Sequence, residues 1–182
     1  MGSGMSFRNG KSMEAAFALD AIDLRILRIL QRDSLIGNQT LADRIGLSPP
    51  ACLKRVRRLR TAGVIERTVS LLSPEALGCP LLTIVRVKLE RPTEENMTAF
   101  EAHVASLPAV VQCMTVSGDI DYVLMVRSRD VAHYQDFARR MLATAPGIRA
   151  YTSEIVLAVD KFTTEIPVDA EATASDEVIP GS

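Results

Sequence analysis

Between Gln39 and Ile65 the chain reads QTLADRIGLSPPACLKRVRRLRTAGVI, and few folds accommodate that order. Leu41, Ala42 and Ile45 recur at helical spacing, and Gly46 ends their run. Leu47 is expected as a buried link. Ser48 then falls at an N-cap position with Pro49 as the first helical residue, where its missing N–H costs nothing. The second helix places Cys52, Leu53, Val56, Leu59 and Arg60 on one side. At about 100° per residue, Ala51, Lys54 and Arg58 point the other way, flanked by Pro50, Arg55 and Arg57. Surface helices stabilised by ion pairs usually alternate sign, whereas Lys54 to Arg60 carries five cations and no acid. Two short helices joined by a tight turn, the second small-surfaced at its start and cationic beyond, match a helix-turn-helix whose second helix enters the major groove.

The overall charge of −1 hides a strong asymmetry. From Leu19 to Ser70 there are ten basic and five acidic residues, a net of +5, which leaves −6 for the remainder. A basic N-terminal module on an acidic body suits double-stranded DNA as partner, because the local field governs phosphate binding. The 182 residues allow two small domains, and an apolar share of 47% is that of a packed globular protein. No apolar run approaches the length of a membrane span, and no signal-peptide layout opens the chain. Cys52, Cys79 and Cys113 are odd in number and form no metal-ligand spacing; Cys52 and Cys113 fall at apolar-phase positions, so buried reduced thiols and a cytoplasmic, nucleoid-associated location are expected.

The remaining pattern divides into segments. Residues 1–18 are small and polar, and are expected to be disordered or at most a basic arm through Arg8 and Lys11. Leu19 to Arg32 is an amphipathic helix capped by Asp20, which completes a three-helix, winged-helix-like domain over residues 19–70. Its apolar face is Ile22, Leu24, Ile26, Leu27, Ile29 and Leu30. Arg67 to Leu72 runs extended, and residues 71–80, with two prolines and a glycine, form a linker. A βαββαβ order follows over residues 81–167. Strands are expected at Thr83–Leu89, Ala109–Ser117, Tyr122–Arg127 and Ile148–Val159. Helices are expected at Thr93–Leu107, using Met97, Phe100, Val104 and Leu107, and from Asp130 to Ala145, burying Val131, Tyr134, Phe137, Met141 and Leu142. Lys161 to Ile166 is a candidate edge strand, and residues 168–182 form an acidic, disordered tail. The fold class is therefore α+β, a helix-turn-helix domain followed by a ferredoxin-like domain. Two helices cover one sheet face. The apolar side chains on the other argue for a dimer.

Several runs together resemble the Lrp/AsnC (feast/famine) family of transcriptional regulators. They are Leu19–Asp23, Gly46–Leu59, Gly63–Ile65, Leu72–Pro74, Ser117–Tyr122 and Lys161–Thr164, in the family's order over residues 19–167. The resemblance implies that the second domain is the family's ligand-binding (RAM) domain. It implies a homo-oligomer in which dimers assemble further, often to octamers, and an amino-acid effector bound between dimers. For DNA, Ser48, Pro50, Ala51, Lys54 and Arg55 are placed nearest the bases of an operator, expected to be palindromic. Arg57 and Arg58 are placed on phosphates, and Gln39 or Thr40 can donate to phosphate. On the residues alone, Ser117-Gly118-Asp119-Ile120-Asp121-Tyr122 is either a Gly-Asp hairpin turn or a ligand loop. The resemblance assigns it to the effector site, with Thr152 and Ser153 facing it from a neighbouring subunit. Gly118 would admit a carboxylate to backbone N–H groups, and Asp119 or Asp121 would accept from an ammonium. Ile120 stands where many relatives carry an aromatic residue.

No Gly-rich phosphate loop, nucleophile elbow or metal pattern occurs, and His103 and His133 lie on different helices without catalytic partners. No catalytic residue, metal or cofactor is expected beyond a small-molecule effector. Two alternatives share this plan: a DNA-architectural protein with little effector control, and an enzyme of the sirohaem-decarboxylase type.

Overall fold

In a computed structural model the described residues are 17–168, without the side chains of residues 142 and 143. The expectations for Arg8, Lys11, Leu142 and the acidic tail beyond Val168 lie outside them. The chain forms two compact units, one from Leu71 to Asp160, the other from the segment ending at Ser70 together with the chain from Lys161 onward.

The helical unit contains α1 (Ala21–Arg32), α2 (Asn38–Ile45) and α3 (Pro49–Thr61). Asp20 opens α1 with a reciprocal capping box. Its carboxylate accepts from the Asp23 N–H at 2.8 Å, and the Asp23 carboxylate accepts from the Asp20 N–H at 3.2 Å. Gly46 ends α2 at φ 74°, a left-handed turn that a β-carbon would strain, and Leu47 N–H returns to the Ala42 carbonyl at 3.0 Å. Ser48 takes the N-cap position of α3, although its hydroxyl makes no capping bond. The turn is clamped instead by Asn38, whose side-chain amide donates to the Pro49 carbonyl at 2.9 Å.

Ile26, Leu41, Ala42, Ile45, Cys52, Val56 and Leu59 form the core of this unit. Each fully buried Leu or Ile contributes about 1.5–3 kcal/mol. Two expected core positions depart from this. Leu53 is 38% exposed and Arg60 is exposed, because the buried stripe of α3 is confined to positions 52, 56 and 59. Leu47 is half-buried. Arg67 to Leu72 pairs with no strand among the described residues.

In the other unit, residues 73–79 of the expected linker close a turn. Ser73 Oγ accepts from the Ala76 N–H at 3.1 Å, and the Cys79 N–H donates to the Pro74 carbonyl at 2.8 Å. Then come β1 (Leu81–Leu89), α4 (Glu94–Ala105), β2 (Val110–Thr115), β3 (Tyr122–Ser128), α5 (Val131–Thr144) and β4 (Ile148–Ile155). The sheet order is β2-β3-β1-β4 with every pairing antiparallel. Thr93 caps α4 and Asp130 caps α5, each accepting from a backbone N–H three residues on. Val85, Val87, Leu89, Tyr122, Leu124 and Val126 pack against Phe100, Val104, Tyr134, Phe137 and Met141. Val131, expected in that core, is 45% exposed in the first turn of α5. Strand alternation turns Ile84, Val123, Met125 and Met114 to the other face, where Arg86 pairs with Glu154 at 2.9 Å.

The C-terminal part differs most from expectation. β4 stops at Ile155, with one further bond from Val156 N–H to the Leu82 carbonyl, rather than continuing to Val159. Lys161–Ile166 adds no edge strand. By its contacts it groups with the helical unit, where polar side chains of α1 take up its backbone groups.

Candidate functional site

The DNA-facing residues expected on α3 divide into two sets. Asp23, on α1, is fully buried, yet no apolar neighbour could compensate its charge. Two arginines of α3 do so. Arg55 reaches Asp23 at 3.0 Å and Asp20 at 2.5 Å, and Arg58 also pairs with Asp23. The guanidinium of Arg58 lies 4.9 Å from the ring centre of Phe17, a cation–π contact. The Asp23 backbone N–H first, and then Arg55, hold the Asp20 carboxyl below its usual range, while the two acids raise Arg55. Arg55 and Arg58 thus turn back toward α1. The sequence placed Arg55 over bases and Arg58 on phosphate; within this chain the buried Asp23 carboxylate is the partner of both.

Lys54, Arg57 and Arg60 remain, solvent-exposed and without an ion pair among the described residues. Ser48, Pro50 and Ala51 are exposed at the start of α3. Gln39 and Thr40 are exposed in the first turn of α2, where the Gln39 amide donates to Asp43 at 3.1 Å. A small, uncharged entry followed by free cations is retained, narrower than the sequence implied. Sequence reasoning missed Asp23 as the anchor, although its position three residues after an Asp N-cap is a capping-box signature.

The loop between β2 and β3 is docked on the end of β1. Asp121 N–H donates to the Val87 carbonyl at 2.9 Å, and its carboxylate accepts from the Leu89 N–H at 2.7 Å. Lys88 Nζ donates to the Asp119 carbonyl. Gly118 sits at φ 124°, a conformation that favours glycine. The Asp119 carboxylate is exposed and has no partner among the described residues. Two of the expected residues are engaged within the chain. Asp121 is committed to a backbone N–H. Tyr122 is fully buried, its hydroxyl donating to Glu101 Oε1 at 3.0 Å, and burial together with Glu101 pushes its phenol up. Ser117, Gly118 and Asp119 are left as the exposed surface.

Thr152 and Ser153 are on β4, separated from β3 and its loop by β1. They point to opposite faces. Thr152 pairs with Arg86 on the open face, while the Ser153 hydroxyl bonds the Tyr134 hydroxyl of α5, at the rim of a groove of about 280 Å³ that Tyr151 and Arg139 also line. Within one chain neither is brought to the loop. His133 contacts Asp130 at 3.0 Å, and His103 lies 3.4 Å from Thr144.

Comparison with known proteins assigns both units. Residues 19–66 match the model for a winged helix-turn-helix DNA-binding domain, and residues 82–166 match the Lrp/AsnC ligand binding domain. The leucine-responsive regulatory protein of Haemophilus influenzae is 41% identical over 140 residues, 77% of this chain and 84% of that protein. A transcriptional regulator of Neisseria meningitidis, solved as an L-Met complex, has a TM-score of 0.79 at 32% identity, covering 84% of this chain and 98% of its own. An AsnC family transcriptional regulator of Agrobacterium tumefaciens has a TM-score of 0.78 at 36% identity, covering 82% and 97%. These relatives are regulators of transcription rather than enzymes.

Proposed function

The chain belongs to the Lrp/AsnC family of DNA-binding transcriptional regulators, and on that premise we propose that an amino acid held at the β2–β3 loop sets how it engages its operator. The observation that carries this reading is the loop itself. Gly118 leaves backbone N–H groups open to a carboxylate, and beside it the Asp119 carboxylate is free to accept from an ammonium. The L-Met complex of the Neisseria meningitidis relative supports the ligand class. Thr152 and Ser153 complete the site from a neighbouring subunit, which requires assembly beyond a dimer built on the open sheet face. On the operator, Lys54 reads base edges, with Ser48, Pro50 and Ala51 allowing close approach. Arg57, and Gln39 or Thr40, hold phosphates. The protein then works in the cytoplasm, on the nucleoid.

The mechanism is linkage. An effector that binds between dimers favours one assembly, and assembly decides how many recognition helices engage neighbouring half-sites at once, about one helical turn or a multiple apart. A thermal-shift screen against the twenty amino acids tests it. A ligand at about 100 times its Kd stabilises by about 2.7 kcal/mol. A selective shift, accompanied by a change in light scattering and abolished by Asp119→Ala, is the expected result. No shift with any of the twenty overturns the effector reading and favours the architectural one.

A further inference from the structure

α1 is gripped on two sides. Asp23 joins it to Arg55 and Arg58 of α3. Between about 80° and 180° around the helix from Asp23 lie Arg28, Gln31 and Arg32, and each engages the segment that follows the sheet unit. The Gln31 amide meets both backbone groups of Ile166, accepting from its N–H at 2.6 Å and donating to its carbonyl at 3.1 Å. Arg28 donates twice to the Val168 carbonyl, at 2.9 and 2.6 Å. Arg32 pairs with Glu165 at 3.0 Å. A side-chain amide that satisfies both the donor and the acceptor of one residue does for it what a neighbouring strand would do.

We propose that residues 161–168 are a fourth element of the DNA-binding unit, a C-terminal brace that positions α1 and, through Asp23, the recognition helix. Phe162 and Ile166 are each 71% exposed, so polar contacts rather than apolar burial hold the brace. Such an attachment can open without unfolding the core beneath it. It also gives the two units a second covalent crossing, at residues 160 and 161, besides the one at residues 70 and 71. Only five residues, Val156 to Asp160, separate β4 from the brace. The inference rests on the family's DNA binding and is independent of the amino-acid reading.

The test uses the full chain and a DNA duplex recovered by selection from a random-sequence pool. Ile166→Pro removes the N–H that Gln31 accepts, and Gln31→Ala removes both bonds from a helix surface that tolerates truncation. Hydrogen exchange over residues 24–33 is expected to quicken in both variants, and duplex affinity to fall about fivefold. The salt dependence should be unchanged, because no phosphate contact is lost. Arg28→Ala should behave alike. Faster exchange with unaltered affinity overturns the proposal, as does a wild-type segment that exchanges as fast as the variants. A salt slope lowered by about one in Arg28→Ala also overturns it, since Arg28 would then be a phosphate contact.

Discussion

Helix α3 and the β2–β3 loop divide like-charged neighbours in the same way, by different means. On α3, Arg55 and Arg58 turn inward to a fully buried carboxylate, while Lys54 and Arg57 stay free. In the loop, Asp121 turns inward to the Leu89 N–H, while Asp119 stays free. The helix is anchored by charge on charge, the loop by a charge on a neutral backbone dipole. Removing one side of a buried ion pair strands the other, whereas removing a carboxylate from an N–H at a strand end leaves a group that water can reach. The helix anchor is therefore the costlier to break.

Asp23→Ala tests that ranking most directly. Arg55 and Arg58 would face each other across a vacated pocket, and the capping box of α1 would lose one arm. Urea unfolding of the helical unit should show a loss of about 2–4 kcal/mol, discounted from the full buried-pair cost because both guanidinium groups can reach water. Asp121→Ala should cost the sheet unit about 1–2 kcal/mol by the same measurement. Equal losses would mean that the two anchors are energetically alike and the comparison fails.

The free members of each pair should behave in the opposite manner. Lys54→Ala should leave stability within about 0.5 kcal/mol, as at other exposed positions, yet weaken binding to the preferred duplex by about 1–3 kcal/mol and relax its sequence preference. Arg57→Ala should weaken binding to all duplexes alike and lower the salt slope by about one, the signature of a phosphate contact. Filter binding at several salt concentrations separates the two. If Arg55→Ala reproduced the Lys54 pattern with no loss of stability, the inward assignment of Arg55 would be wrong.

Which charge turns inward was the part of the sequence least open to reading. The two periodicities are plain in the chain. Leu41, Ala42 and Ile45 against Cys52, Val56 and Leu59 define the helical core, and the alternation from Thr83 to Leu89 defines the central strand. Caps at Asp20, Thr93 and Asp130 and the stop at Gly46 follow from local chemistry alone. Arg55 and Arg57, by contrast, are chemically identical and two residues apart. They lie on opposite flanks of α3, and it takes Asp23, 32 residues before Arg55, to decide which flank turns inward. The same holds for Asp119 and Asp121, and for the segment 161–166, whose β-like composition says nothing of Gln31 waiting about 135 residues earlier.

The smallest expected effect concerns acid, and it distinguishes the helix caps from one another. Asp130 is held well down, at about 2, chiefly by the His133 N–H and then by the His133 side chain. Asp20 is likewise lowered, by the Asp23 N–H and Arg55. A carboxyl whose folded value lies below its unfolded one stabilises fully above the unfolded value, and that contribution is lost as pH falls through the folded value. For Asp130 the window runs from the ordinary 3.8 down to about 2. Thr93, capping α4 through a hydroxyl, has no such window. Hydrogen exchange between pH 4 and pH 2 should therefore loosen the first turns of α1 and α5 while α4 keeps its relative protection. Asp130→Thr should remove the acid sensitivity of α5 alone. If α4 loosened in step with the other two, acid would be acting through general charge repulsion, and the caps would not be its point of attack.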